Sequence, residues 1–158
     1  MNLLAIDTSE EACSAAILID DAVVESFELA PRRHSELILP MMDGVLAEAG
    51  LNLSDLDALA FARGPGSFTG VRIAACVAQG LALGAGKSVV PVSSLAALAM
   101  RGGNPGDRVL ACLDARMGEV YLGAYHLTAD GCAQALAPEQ LGAPESVVIP
   151  EGDAWLTV

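Results

Sequence analysis

The stretch Ala62-Arg63-Gly64-Pro65-Gly66-Ser67-Phe68-Thr69-Gly70-Val71-Arg72-Ile73-Ala74 constrains the fold of this chain more than any other. An apolar run, Ala58 to Ala62, leads into it, and a long pattern of small and apolar residues, Val71 to Leu83, leads out. Between them stand three glycines and a proline. That order predicts a strand, a tight loop and a helix N-terminus, and hence an α/β fold. Helix starts carry unpaired backbone N–H groups and the positive end of the helix dipole. Glycines let an anion or another backbone come close to them. Gly64, Pro65, Gly66, Ser67, Phe68, Thr69, Gly70 and Arg72 are therefore candidates for a binding loop that takes a phosphate or a protein partner. The structural alternative is a strand-to-helix turn with Ser67 or Thr69 as N-cap.

Upstream, Leu3 to Ile6 reads as a central strand ending at Asp7. Ala12 to Ile19 and Ala22 to Leu29 read as two more strands joined by Asp20-Asp21, the last with the mixed pattern of a sheet edge. A helix is predicted over His34 to Ala49, capped by Ser35, bent at Pro40 and stopped by Gly50. At 100° per residue its apolar positions cover an arc of about 200°, whereas a surface helix on one sheet needs only about 100°. The second helix, Val71 to Leu83, has only Arg72 and Gln79 as polar residues. Such helices are either core on all sides or surfaces for a second protein. Leu37, Ile38, Met41, Met42, Val45 and Leu46 from the first helix are candidate partner-interface residues. From the second come Val71, Ile73, Ala74, Val77, Ala78, Gly80 and Leu81, with Ala78 and Gly80 setting the closest approach.

Gly84-Ala85-Gly86-Lys87-Ser88 imitates a P-loop, but the motif needs glycine where Leu81 stands, and these residues follow a helix instead of preceding one. A strand at Val89 to Val92 and a short helix at Ser93 to Arg101 come next. Residues 102–107, Gly-Gly-Asn-Pro-Gly-Asp, form the densest turn signal and the expected boundary between a first lobe, 1–101, and a second, 108–158. After it the pattern restarts. Leu110 to Asp114 echoes Leu3 to Asp7, and Tyr121 to Tyr125 echoes Ser14 to Leu18 at the same spacing. The second copy is much the shorter, so that lobe is expected to be incomplete, with further strands at 146–149 and 155–158.

Composition limits the function classes. The chain is 53% hydrophobic with mean hydropathy +0.49, enough for a sizeable core, while Val71 to Leu83 is short for a bilayer span. Met1-Asn2-Leu3-Leu4 lacks the basic start of a signal peptide, so a cytoplasmic protein with no membrane partner is expected. The net charge is −12, and no basic cluster exceeds Arg32-Arg33. Nucleic-acid affinity comes mainly from phosphate neutralisation, so this chain alone should bind RNA poorly. Cys13, Cys76, Cys112 and Cys132 are far apart, and buried free thiols are expected.

Three blocks carry a resemblance to a known family. They are Arg63-Gly-Pro-Gly-Ser-Phe-Thr-Gly-Val-Arg-Ile-Ala74, Leu3-Leu-Ala-Ile-Asp-Thr-Ser9 continuing to Leu18, and Leu113-Asp-Ala-Arg-Met-Gly-Glu-Val-Tyr121. They resemble signatures of the bacterial TsaB family, also called YeaZ, which takes part in making threonylcarbamoyladenosine in tRNA. The resemblance implies an actin-like ATPase or sugar-kinase fold with duplicated ribonuclease-H-like lobes. It implies a non-catalytic scaffold whose two helices pack on a catalytic sister subunit of the same fold (TsaD-like). It implies that a P-loop ATPase (TsaE-like) resets the complex, that tRNA is reached only through the complex, and that the chain alone is expected to form a homodimer. ATP, magnesium and a metal belong to the partners, with no cofactor in this chain.

In that superfamily an aspartate at the position of Asp7 often touches metal and phosphate. Thr8 stands where the usual following glycine would be, so Asp7 and Thr8 are read as a vestigial nucleotide site, with a turn-capping aspartate as the structural alternative. The sister family's His-x-x-x-His metal pair corresponds to Ser94 and Leu98 here, and His34 and His126 stand apart, His34 as a solvated helix cap, so no metal site is expected. Two other readings remain at this stage. One is an ATP-dependent phosphotransferase of the sugar-kinase type. The other is a peptidase, for which no Ser–His–Asp set can be assigned.

Overall fold

The computed structural model describes residues 1–152 and 154–158. The chain divides into two compact units, Met1–Val92 and Ser93–Val158.

The first unit is built on a strand with alternating burial. In β1 (Asn2–Asp7), Leu4 and Ile6 point to one face; in β2 (Ala12–Ile19), Cys13, Ala15 and Ile17 do the same. β1 and β2 pair antiparallel with Leu4 opposite Ile17, and β3 (Ala22–Leu29) pairs antiparallel with β2 as an edge strand. β4 (Ala58–Ala62) and β5 (Ser88–Val92) add in parallel on the other side, giving the order β3-β2-β1-β4-β5. A parallel neighbour needs a crossover. The helices α1 (His34–Ala49) and α2 (Phe68–Ala85) supply the two crossovers, and both contribute to one core with Leu4, Ile6, Ile17 and Leu59.

The structure revises several expectations for α1. Its N-cap is Arg33, with no side-chain hydrogen bond, so Ser35 is not the cap. His34 is buried beneath the helix start, its Nε2 3.2 Å from the Ala12 carbonyl oxygen, and is not a solvated cap. Gly50 does end the helix in the left-handed conformation, φ 69°. Ile38, Met41, Met42, Val45 and Leu46 are buried in this chain's own core, and Leu37 is half-buried. They are corrected from partner-facing to core. The wide apolar arc has a local cause. α1 lies in a corner, with the sheet beneath it and α2 beside it, so it must be apolar on both sides.

α2 is longer than the sequence suggested, because Ser67 caps it one turn earlier and Gly86 ends it later, in the left-handed conformation. Its 18 residues have a mean hydropathy of 1.4 and pass the length and composition test for a membrane span, yet the helix is the β4–β5 crossover. Only 22% of it is buried. Gly70, Ala74, Ala78 and Ala82 form the buried stripe, one residue per turn. Ala74 and Ala78 therefore face the sheet and cannot face a partner. Val71, Ile73, Val77 and Leu81 flank the stripe half-buried, and Gly80 is exposed.

The second unit opens with α3 (Ser94–Gly102), capped by the Ser93 hydroxyl, which accepts from Ala96 N. The chain thus divides ahead of this helix, not at 102–107, because Leu95 and Ala99 pack on the second sheet. That sheet pairs β6 (Arg108–Arg116) antiparallel with β7 (Glu119–Leu127). The short strands β8 (Ala133–Ala135) and β9 (Gln140–Gly142) both pair with β7, and β10 (Leu156–Thr157) lies parallel to β6. Residues 146–149 form no strand; Gln140 instead holds Val148 through two side-chain hydrogen bonds. The Tyr125 hydroxyl donates to Glu139 Oε1 at 2.7 Å, and Ser93 Oγ donates to the same oxygen. This ties the start of α3 to the segment before β9. All four cysteines are free thiols, but only Cys13 is buried; Cys112 is half-buried, and Cys76 and Cys132 are exposed.

Candidate functional site

The signature loop packs against the turn after β1. Ser67 N donates to the Ser9 carbonyl at 2.6 Å, and Thr8 Oγ1, fully buried, donates to the Gly70 carbonyl at 2.7 Å. Asp7 Oδ1 accepts from Ser9 N at 2.7 Å, which is the hydrogen bond of an Asx turn. Arg63 N donates to the Val92 carbonyl at 2.8 Å and aligns the loop entrance with β5. Gly64 has φ +88°, a conformation that glycine adopts without strain, and precedes Pro65 through a cis peptide.

The close approach that the glycines permit is to this chain's own backbone. A β-carbon on Gly66 would stand 2.5 Å from the Ser9 carbonyl oxygen, and one on Gly70 would run into the Thr8 carbonyl oxygen. Those two carbonyls carry negative partial charge and occupy the ground an anion would need next to Gly66 and Gly70. The N-terminus of α2 is also capped from within, since Ser67 Oγ accepts from Gly70 N at 3.4 Å. The predicted residues Asp7, Thr8, Gly66, Ser67 and Gly70 thus come together as one tightly connected corner. The residue the sequence reading missed there is Ser9, which acts through its backbone and left no side-chain signal.

This corner yields a direct expectation. Thr8→Val keeps the shape and removes the hydroxyl that donates to the Gly70 carbonyl. The Gly70 carbonyl keeps its place in the α2 hydrogen-bond ladder, so the cost is that of one buried hydrogen bond, about 0.5–1.5 kcal/mol. The urea midpoint should fall accordingly, and Thr8→Ser should restore most of it. An unchanged midpoint for Thr8→Val would show that the hydroxyl does not secure the loop.

Just beyond the loop, α2 presents its outer face. Phe68 is 72% exposed, with the Arg72 guanidinium stacked 3.3 Å from its ring centroid. Cys76 and Gly80 follow at one-turn intervals, and Leu83 is 87% exposed. Among the described residues, apart from the neighbouring backbone of α2 itself, nothing lies within 4 Å of where a β-carbon on Gly80 or Gly84 would be. Leu39 of α1 is also exposed, at 47%. Cys76 and Leu83 were not among the sequence candidates. The signal was available in the alanine spacing, because the smallest residues at four-residue intervals mark the side that lies closest to the sheet.

Ser94 and Leu98 stand on α3, and among the described residues no three His, Cys, Asp or Glu side chains are grouped as a metal site.

Comparison with known proteins places this geometry. A family model described as TsaD, tRNA N6-adenosine threonylcarbamoyltransferase, matches residues 26–154. The chain is 48% identical over 149 residues to the tRNA threonylcarbamoyladenosine biosynthesis protein TsaB of Escherichia coli, covering 93% of this chain and 64% of that protein. It is 53% identical over 123 residues to the protein of the same name from Haemophilus influenzae, covering 77% of this chain and 52% of that one. The solved structure of YeaZ from Pseudomonas aeruginosa matches with a TM-score of 0.91 and 46% identity, over 99% of this chain and 74% of that chain. The chain therefore spans about half to two thirds of the length of these curated relatives. It has the α/β fold of the solved YeaZ structure. On these matches the chain belongs to the TsaB family, also called YeaZ, within the wider group that the TsaD model describes.

Proposed function

We propose that this chain is a non-catalytic scaffold and activator subunit of the complex that transfers a threonylcarbamoyl group to the adenosine beside the anticodon of tRNA. The observation that carries the reading is the outer face of α2. An apolar helix with only 22% of its residues buried exposes surface that soluble proteins ordinarily cover with a partner. In this reading the partner is a catalytic, TsaD-like sister subunit packed on Phe68, Cys76, Gly80 and Leu83, with half-buried Val71, Ile73, Val77 and Leu81 at the margin. Without it, the same face pairs two copies of this chain. A TsaE-like P-loop ATPase acts on the assembled complex. ATP, magnesium and any metal are held by those partners, in the cytoplasm.

The corner around Asp7 supports the vestigial reading of the nucleotide site. Asp7 accepts the Ser9 N–H, and the Thr8 hydroxyl is committed to Gly70. The phosphotransferase alternative needs that carboxylate for a metal ion and that backbone for a phosphate. We also infer that the two units descend from one duplicated lobe. Each contains an antiparallel hairpin at the echoed positions, although Leu4 faces Ile17 while Ala111 faces Gly123, one residue out of register with the echo.

The test is reconstitution. Transfer to tRNA by the sister subunit and ATPase should require this chain, and this chain alone should neither hydrolyse ATP nor modify tRNA. With net charge −12, it should show no tRNA binding in a filter assay at physiological salt. ATP turnover by the isolated chain would favour the phosphotransferase, and micromolar tRNA binding would mean that folding assembles a basic surface from the scattered arginines.

A further inference from the structure

The sheet of the first unit has an uncovered edge. β3 is its outer strand and pairs with β2 along its whole length without a register shift. Ala30 N donates to the Glu11 carbonyl, which continues that register, so the even-numbered residues of β3 turn their N–H and C=O toward β2. Val23, Glu25, Phe27 and Leu29 turn theirs into open space. Their side chains share the sheet face away from α1, since they stand opposite Leu18, Ala16, Ser14 and Ala12, and all four are exposed. Sheet edges are ordinarily blunted by proline, lysine or a bulge. The opposite edge has Pro91 within β5 and Lys87 just before it, whereas β3 has none of the three.

Charge is distributed unevenly along this edge. Asp20-Asp21 precedes β3, and Arg32-Arg33, the only adjacent pair of cations in the chain, follows it. Asp20 is held by the N-terminal amine, and Arg33 by Glu28 and Glu36. Asp21 and Arg32 are exposed, and among the described residues neither side chain makes a hydrogen bond or an ion pair. The edge thus has a free anion at one end and a free cation at the other. A two-fold contact is self-complementary, because residue i meets j and j meets i. Antiparallel pairing of this edge with its own copy sets acidic end against basic end twice.

We propose that β3 pairs antiparallel with β3 of a second copy of this chain, about a two-fold axis at Ser26, joining the two sheets into one. Val23 then stands opposite Leu29 of the second copy, Glu25 opposite Phe27, and Asp21 beside Arg32. The outward N–H and C=O groups find partners, and each Val23–Leu29 pair gains as an apolar cross-strand contact. Glu25 and Pro31 select this register. Centred one residue earlier, the pairing would set Glu25 against its own copy, and like charges directly opposite are destabilising. Centred one residue later, it would set Val23 against Pro31, which has no N–H to give. α2 connects β4 and β5 on the other side of the sheet, so its outer face stays free. The proposal does not depend on the role assigned to α2.

The test uses the full chain carrying Leu83→Glu, so that the outer face of α2 contributes no self-association. Sedimentation velocity should show a monomer–dimer equilibrium in the micromolar range. As the dimer forms, residue-resolved amide exchange should slow at Val23, Glu25, Phe27 and Leu29, while Val24 and Ser26, already bonded to β2, change little. Asp21→Arg and Arg32→Asp should each weaken the dimer about tenfold, and the two together should restore it. Phe27→Pro removes an outward N–H and spares the ladder to β2. It should abolish the dimer, with circular dichroism verifying that the variant is folded. A Leu83→Glu chain that stays monomeric at millimolar concentration would overturn the proposal. So would a dimer whose slowed amides lie outside β3, or one indifferent to both Phe27→Pro and the charge exchange.

Discussion

Leu83→Glu and Gly80→Trp should each abolish association with the proposed sister subunit while leaving the chain folded. Leu83 is 87% exposed, and among the described residues nothing beyond the neighbouring backbone of α2 lies within 4 Å of a β-carbon on Gly80. Exposed positions without special contacts change stability by less than about 0.5 kcal/mol. Within an interface the same changes are severe. A glutamate taken out of water without a partner costs about 3 kcal/mol or more, about a hundredfold in Kd. A tryptophan on Gly80 keeps the two surfaces apart by its bulk. Sedimentation with and without the sister subunit, alongside thermal unfolding, measures both effects. Unchanged association in both variants would move the interface away from α2. Ala78→Leu and Met42→Glu look like similar experiments but are not. Ala78 is fully buried against the sheet and Met42 is buried in the core, so both should unfold the chain and would lose binding for an uninformative reason.

Gly70→Ala should be the most damaging single methyl in the protein. The new β-carbon would collide with the Thr8 carbonyl oxygen, with Ser9 Cα also close. Both are backbone atoms, so no side chain can swing aside. The corner must open, and the Thr8–Gly70 hydrogen bond opens with it. The expected loss is about 3 kcal/mol or more, a large share of the 5–15 kcal/mol typical of a domain. Gly80→Ala, in the same helix, makes the control. It meets nothing and should stabilise the chain by about 0.5–1 kcal/mol through helix propensity. Denaturant titration of the two variants should move the midpoint in opposite directions. A small or absent loss for Gly70→Ala would mean that the loop does not lie against Thr8 as described.

Much of the fold was legible in the sequence for one physical reason, which is that local patterns fix local elements. β2 and β3 fall where alternation and the Asp20-Asp21 turn placed them, and α1 runs between the predicted ends. Gly50 stops α1 because only a residue tolerant of positive φ fits there. The strand–loop–helix order around Gly64 to Gly70 follows equally from composition. The weak spots were elements whose pairing, and not their own pattern, creates them. The three-residue strands β8 and β9 exist because β7 offers them an edge, and 146–149, which has the composition of a strand, has no partner strand.

What the sequence could not determine is which way an apolar side chain points. α1 and α2 are both too apolar for simple surface helices, and composition does not say whether the excess meets a partner or the chain itself. The tertiary structure divides them. α1 spends its excess against α2 and the sheet, so Ile38, Met42, Val45 and Leu46 are core. α2 rests on a stripe of glycine and alanine, keeps Val71, Ile73, Val77 and Leu81 half-buried beside it and leaves Phe68 and Leu83 outside. The same holds for the glycine loop. Its sequence says that an anion or another backbone comes close, and only the fold says that it is the backbone of Thr8 and Ser9. Period and propensity are properties of neighbours along the chain, whereas burial and contact depend on residues brought together from distant parts of it.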